Sequence, residues 1–447
     1  MSQLVSRGRE LMLLLAATGL LLLMLFGLEM SQGRALSTEM LYLVGGFVGV
    51  YAIAHVAIAF LAPHSDQVML PVVALLNAVG LVMIYRIDLA DRPDFGPLAD
   101  RQMMWSLVGV GLMVATLIIV RDHKSLTRYS YLLGLLGLIL LALPLVWPQP
   151  PDVSERIWIY LGPFSIQPGE FSKILLLIFF AQLLAQKRAL FTVAGRRFLG
   201  LTFPRLRDLA PILVVWGIAI VIMAVSDDFG PALLLFATVL GMVYFATGRT
   251  SWMLIGLGLM AVGGYAVYQV SDKIQKRVAN VIDPLANFET FGYQPSQALF
   301  GLSWGGMTGV GLGYGHPELV PVAHSDYILV AIGEELGFVG LAAVLCLFAI
   351  FITRGFHAAM QARDSYGKLL AAGLALTIAI QIFVVTGGVS SLLPMTGLTT
   401  PFMSAGGSAI MANYILLALL LRISNSANRP AEFDANALRR PRAAAVS

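Results

Sequence analysis

The chain has 447 residues, 58% of them hydrophobic and 12% charged, with a formal net charge of +4 and one cysteine. Soluble globular domains carry about 25% charged residues, so this balance excludes an ordinary soluble fold, and the small positive excess calls for no nucleic-acid partner. The lone cysteine, Cys346, excludes an internal disulfide and a cysteine metal cluster.

A bilayer core about 30 Å thick needs roughly 20 apolar residues per helix. Runs near that length fall at 11–28, 41–62, 69–87, 103–120, 130–147, 171–186, 209–225, 229–247, 252–270, 328–353, 369–390 and 408–422, predicting an all-α polytopic membrane protein of about twelve helices. The first run follows Arg7 and Arg9 and lacks a small-residue cleavage site, so it reads as a retained helix. Basic residues set the orientation. With a cytoplasmic N-terminus, 20 of the 29 Lys and Arg fall inside, against seven outside: Arg34, Arg92, Arg101, Arg156, Lys273, Lys276 and Arg277. Arg86 and Lys173 belong to the spans or their edges. Both termini are then cytoplasmic. The expected organisation is an N-terminal helix pair at 1–68, a ten-helix core at 69–424 and a disordered tail at 425–447.

Three outer segments, 88–102, 148–170 and 271–327, are long enough to hold a site. In the second, Trp158, Ile159 and Tyr160 suit a membrane interface. Pro168 stands where a helix should start, with Glu170 in its first turn. Lys173 follows three residues later on the same face. An ionisable side chain about one turn inside an apolar run marks a functional site, unless the lysine merely snorkels to the surface. The Ser226-Asp227-Asp228-Phe229-Gly230-Pro231 break reads as a tight turn with a capping aspartate.

Segment 271–327 carries the most chemistry. It opens on Asp272, Lys273, Lys276 and Arg277, continues through Gln294 and Gln297, and reaches a glycine run at 305–315. It ends in Pro321-Val322-Ala323-His324-Ser325-Asp326-Tyr327. The glycines permit either close approach to a ligand or a re-entrant turn. Asp326 stands at the mouth of a helix beside lipid, where partial desolvation favours a general base; the alternative is an N-cap aspartate. His324 reads as a structural hydrogen-bonding residue. Glu334 and Glu335 follow in the next helix, roughly 10–12 Å further in. Two adjacent carboxylates diverge by about 100°, so at least one must meet a cation or a polar cavity, and Lys173, Arg277 and Arg156 are the candidate partners. The uncharged segment 391–407, SLLPMTGLTTPFMSAGG, reads as a re-entrant loop.

These motifs, RIWIYLGPFSIQPGEFSK, SDDFGPA, RVANVIDP, GYQPSQ with its glycine run, HSDYILVAIGEELGFVG and LLPMTGLTTPFMSAGGS, resemble in order the RodA/FtsW (SEDS) family over residues 69–422. The extra N-terminal helices are similar to those of actinobacterial RodA-like proteins. The resemblance implies a peptidoglycan glycosyltransferase that polymerises lipid II on the outer face of the bacterial cytoplasmic membrane, serving elongation and shape. It puts Asp326, in His324-Ser325-Asp326-Tyr327, at the family's catalytic aspartate, and Gln167, Pro168, Glu170 and Lys173 at its QPSE-x-x-K motif, with Gly169 in the serine position. Ser404 falls in a variant of the family's Ser-Tyr-Gly-Gly-Ser motif. The expected substrate-binding set is therefore Lys173, Arg277, Arg156, Glu170, Gln294, Gln297, His324, Ser325, Glu334, Glu335 and Ser404, without protein metal ligands. A divalent cation (Mg or Mn) is a further expectation, as is a class B penicillin-binding transpeptidase gripping the helices near 209–270. The alternative activity is transport of lipid II across the bilayer.

Overall fold

The computed structural model describes residues 7–34, 37–90, 97–150, 156–162, 164–193, 195–198, 201–204 and 206–429. Of the tail expected at 425–447, residues 425–428 extend the last helix, and those beyond Arg429 lie outside the described residues. Its helices are α1 (Gly8–Ser31), α2 (Thr38–Leu61), α3 (Met69–Asp88), α4 (Leu98–Ile119), α5 (Ser125–Val146), α6 (Pro168–Val193) and α7 (Leu206–Val225). They continue as α8 (Phe229–Thr247), α9 (Thr250–Val270), α10 (Asp272–Ile282), α11 (Tyr293–Gly305), α12 (Ile328–Gln361), α13 (Ser365–Val389) and α14 (Gly407–Asn428). Eleven are long and apolar enough to cross a membrane, and the apolar stretch Leu213–Val225 of α7 is a shorter twelfth. All twelve expected spans therefore appear as helices in a multi-pass membrane protein.

Burial separates the centre of the bundle from its rim. The apolar window of α3 is 94% buried and that of α14 89%, whereas that of α9 is 6% buried. Glycines let the central helices approach closely, the usual basis of packing where lipid removes the hydrophobic drive. A side chain at Gly109 of α4 would strike Tyr414 of α14, and one at Gly134 of α5 would strike Phe179 of α6. Tyr51 and Tyr414 share a hydroxyl hydrogen bond of 2.8 Å that ties α2 to α14.

Two short antiparallel hairpins join the helices. The first pairs β1 (Ile159–Leu161) with β2 (Phe164–Ile166), and the second pairs β3 (Gly195–Phe198) with β4 (Leu201–Pro204). Neither was signalled by an alternating pattern long enough to read.

Two irregular segments enter the bundle. Residues 392–406 contain no helix, as expected of a re-entrant loop, yet Phe402 is 1% exposed. Where the segment is buried, side-chain amides take the place of water as partners of its carbonyls. Asn77 of α3 donates to Phe402 O at 3.1 Å, Gln102 of α4 to Ser404 O at 3.0 Å, and Gln381 of α13 to Thr399 O at 2.7 Å. The glycine run is the second, and it fills a break in α12. Gly337 has φ 69° and ψ −172° inside that helix. The break orphans carbonyls on one side and N–H groups on the other. Val310 N and Gly311 N bond the carbonyls of Glu334 and Glu335, while Phe338 N and Val339 N bond those of Gly306 and Met307.

Candidate active site

Helix α10 is short and strongly amphipathic. Ser271 caps it, its hydroxyl accepting from Ile274 N, and Lys273, Lys276 and Arg277 recur at helical spacing. Lys273 Nζ donates to Asp227 O at 3.0 Å, joining α10 to the turn between α7 and α8. Lys276 lies 5.9 Å from the centre of the Phe291 ring.

Asp326 stands one residue before the Tyr327 N-cap of α12, which makes no side-chain capping bond. The N-cap position thus falls to Tyr327 rather than to Asp326. Its position is set from the re-entrant loop: Ser404 Oγ donates to Ser325 O at 2.6 Å, and Ala405 N donates to His324 O at 2.8 Å. Ser325 Oγ donates in turn to Asp326 Oδ1 at 3.0 Å.

Asp326 lies on a wall common to two cavities. One, of about 250 Å³, is bordered by Lys273, Lys276, Arg277, Asn280 and Gln294. The other, of about 220 Å³, is bordered by Gln167, Glu170, Asp227, Asp228, Ser325, Thr399 and Ser408, with Lys273 and Arg277 again. Gly397 borders both, at φ +73°. A Cβ there would come 3.7 Å from Arg277 Nη2 and 3.8 Å from Asp326 Oδ2, so glycine leaves room between a cation and a carboxylate. Tyr327 registers both charges. Burial raises its hydroxyl well above the ordinary tyrosine value, the Asp326 carboxylate raises it further, and the Arg277 guanidinium draws it down.

The expected residues divide. Arg277, Glu170, Gln294 and Ser325 meet Asp326 in one cavity or the other. Gln294 Nε2 also donates to Pro321 O at 2.7 Å. Ser404 supports the backbone. Arg156 is exposed beside Ile157 and Trp158, which border the second cavity, and Gln297 is half-buried on α11. His324 borders a different cavity of about 520 Å³, with Arg34, Glu39 and Asp88. Lys173 pairs with Glu170 at 2.6 Å, both buried, and borders a small apolar space with Leu177, Met223 and Leu235. Asp228 occupies the N-cap of α8 without the expected side-chain capping bond.

The partner expected for Glu334 and Glu335 needs correction. Arg86 of α3 answers Glu335, Nε to Oε1 at 2.8 Å, and Glu334 Oε1 accepts from His316 N at 2.6 Å. Lys173 instead pairs with Glu170, Arg277 borders the cavities beside Asp326, and Arg156 is exposed. Lys273, Lys276, Asp227 and Asp228 were legible as charged patches but not as cavity walls.

The model of the FtsW, RodA and SpoVE family, described as "Cell cycle protein", matches residues 66–429. The chain is 48% identical over 430 residues to the "Peptidoglycan glycosyltransferase RodA" of Mycobacterium tuberculosis, covering 95% of this chain and 92% of that one. It is 31% identical over 371 residues to the "Stage V sporulation protein E" of Bacillus subtilis, covering 80% and 96%. Among solved structures, a chain from "Structural coordination of polymerization and crosslinking by a peptidoglycan synthase complex" superposes with TM-score 0.64 at 25% identity, covering 82% of this chain and 99% of that one. The "Rod shape determining protein RodA" of Thermus thermophilus has the same fold, with TM-score 0.56 at 24% identity, covering 80% and 96%.

Proposed function

Because this chain belongs to the FtsW/RodA/SpoVE family and is a peptidoglycan glycosyltransferase, we propose that it polymerises lipid II with Asp326 as the general base. The observation that carries this reading is the place of Asp326 between two cavities that share Arg277. Two sugar substrates need two spaces and one proton acceptor between them.

In the reaction, Asp326 takes the proton of an acceptor sugar hydroxyl as that oxygen attacks the anomeric carbon of the donor. The bond to the donor's pyrophosphate breaks with inversion, and the electron pair leaves on phosphate. A direct displacement needs one carboxylate, whereas glycoside hydrolysis uses two. Charge growing on the leaving oxygen is met by Arg277, with Lys273 and Lys276 on the same helix. These lysines replace Lys173 and Arg156 in that role, since neither of the latter borders the two cavities among the described residues. Among the described residues no cluster of three or more His, Cys, Asp or Glu could hold a metal ion. A divalent cation would therefore travel with the pyrophosphate, and no step is assigned to it.

The site faces the outside of the bacterial cytoplasmic membrane, and both termini face the cytoplasm. Support comes from the excess of Lys and Arg in the opposite loops. A class B penicillin-binding transpeptidase is the proposed partner, in keeping with the synthase complex that one structural relative belongs to. Purified protein in proteoliposomes supplied with lipid II should build glycan chains. Translocated, unpolymerised lipid II would overturn the reading in favour of transport.

A further inference from the structure

The family model begins at residue 66, so α1 and α2 lie outside the shared core, yet α1 touches the glycine run. Gln32 Nε2 donates to Gly313 O at 2.6 Å, and a side chain at Gly313 would strike Ser31. Glu29 of α1 accepts from Tyr85 of α3 at 2.7 Å, one residue from Arg86.

Arg86 holds the same run from the other side. Its Nη2 donates to Gly315 O at 2.5 Å and lies 3.5 Å from Glu318 Oε2, while its Nε holds Glu335. Glu335 Oε2 accepts from Gly313 N at 3.1 Å. Gly313 is thus gripped at its carbonyl by α1 and at its N–H by a carboxylate that Arg86 orients.

The loop so held is the one that rejoins the two halves of α12. Glycine is required where it enters: a side chain at Gly309 would strike Glu335 O, and one at Gly337 would strike Gly309 N. The outer half of α12, from Ile328 to the break, is therefore fixed by the loop at one end and by Ser404 at the other, through the backbone beside Asp326. Catalytic geometry tolerates little error, since a misplacement of about 1 Å can cost roughly a hundredfold in rate.

We infer that Arg86 is a positioning residue for Asp326, acting through the glycine run, and that the N-terminal helix pair completes its grip through Gln32. The inference rests on the polymerase reading, so every rate is compared with wild type: an inactive wild type would sink that reading and not this one.

The test uses full-length protein and lipid II, with kcat, KM and melting temperature read together. Arg86→Met/Glu335→Met replaces the buried pair by apolar side chains, a change often neutral for folding. Gly313 N, Gly315 O and Glu318 lose partners as well, so the variant should melt below wild type. Its folded fraction should lose about a hundredfold in kcat with KM little changed. Arg86→Lys should recover part of that loss. Gln32→Ala removes one half-buried bond at the end of α1 and should lower kcat by about fivefold at unchanged KM, the scale of one net hydrogen bond. A folded double variant with wild-type kcat would overturn the role of Arg86. Wild-type kcat in Gln32→Ala would overturn the role of the helix pair. If the double variant fails to fold, Arg86→Lys and Gln32→Ala decide, and normal kcat in both overturns the inference.

Discussion

Arg277 and Asp326 reach the same point beside Gly397, a Cβ at which would stand 3.7 Å from the guanidinium and 3.8 Å from the carboxylate. The proposed proton acceptor and the proposed partner of the leaving anion are thereby held on adjoining walls. Bond making and bond breaking occur about one carbon atom, so this closeness is what the proposed chemistry requires.

Asp326→Asn should lower polymerisation by about 10²–10⁴-fold, the usual contribution of a general base. Because the residue does not cap α12, the melting temperature should stay close to wild type. Product chains on a gel, with a melting curve alongside, check both halves.

Arg277→Ala should cost about 10²–10³-fold in kcat, as removal of a donor at a developing anion does. Arg277→Lys keeps the charge and should recover part of the loss. Equal rates for Arg277→Ala and wild type would remove this residue from the leaving-group site.

Gly397→Ala sets a Cβ on a backbone with φ +73°, at a cost of roughly 1–2 kcal/mol. The same Cβ comes into ordinary van der Waals contact with both Arg277 and Asp326 and takes up space beside them. Activity should therefore fall by more than that small destabilisation explains, which kinetics on the folded fraction would reveal.

Lys173 and Glu170 form a buried pair. Lys173→Met alone should destabilise by about 3–5 kcal/mol, because Glu170 is left buried and uncompensated. The double variant Lys173→Met/Glu170→Met should regain most of that. Denaturation of the three proteins in one detergent gives the comparison.

Asp364 N-caps α13, its side chain accepting from Gly367 N at 2.8 Å and meeting His123 Nε2 at 2.7 Å. Burial makes the carboxyl a weaker acid and pushes its pKa up, but the Gly367 N–H and His123 outweigh burial and hold the carboxyl below its ordinary value. A carboxyl lowered on folding stabilises above its unfolded value of about 3.9 and loses that contribution as pH falls through the folded one. Melting temperature should therefore drop below about pH 4, and Asp364→Asn should flatten that acid limb.

Hydropathy alone revealed the twelve helices, because a 20-residue apolar run has few other homes. Asp326 stood out because the chemistry of 271–327 is concentrated and lies next to a helix start. The role of Arg86 was not legible: at the end of an apolar span it reads as an edge charge, and Glu335 lies 249 positions away. The break at Gly337 was hidden within a span whose length and hydropathy read as one helix, since composition does not record φ. Lys173 showed its neighbour Glu170 through spacing, yet which way that helix face turned depended on packing against α8 and α13.

A single carboxylate borders two chambers, and under the proposed mechanism this makes the enzyme vulnerable from either side. An antibiotic need not mimic the whole of a large lipid-linked sugar. Filling the lesser chamber, about 220 Å³, is work for a fragment-sized molecule, smaller than most drug pockets accommodate. Resistance by substitution would be constrained, because Gly397 and Arg277 border that chamber and its neighbour alike.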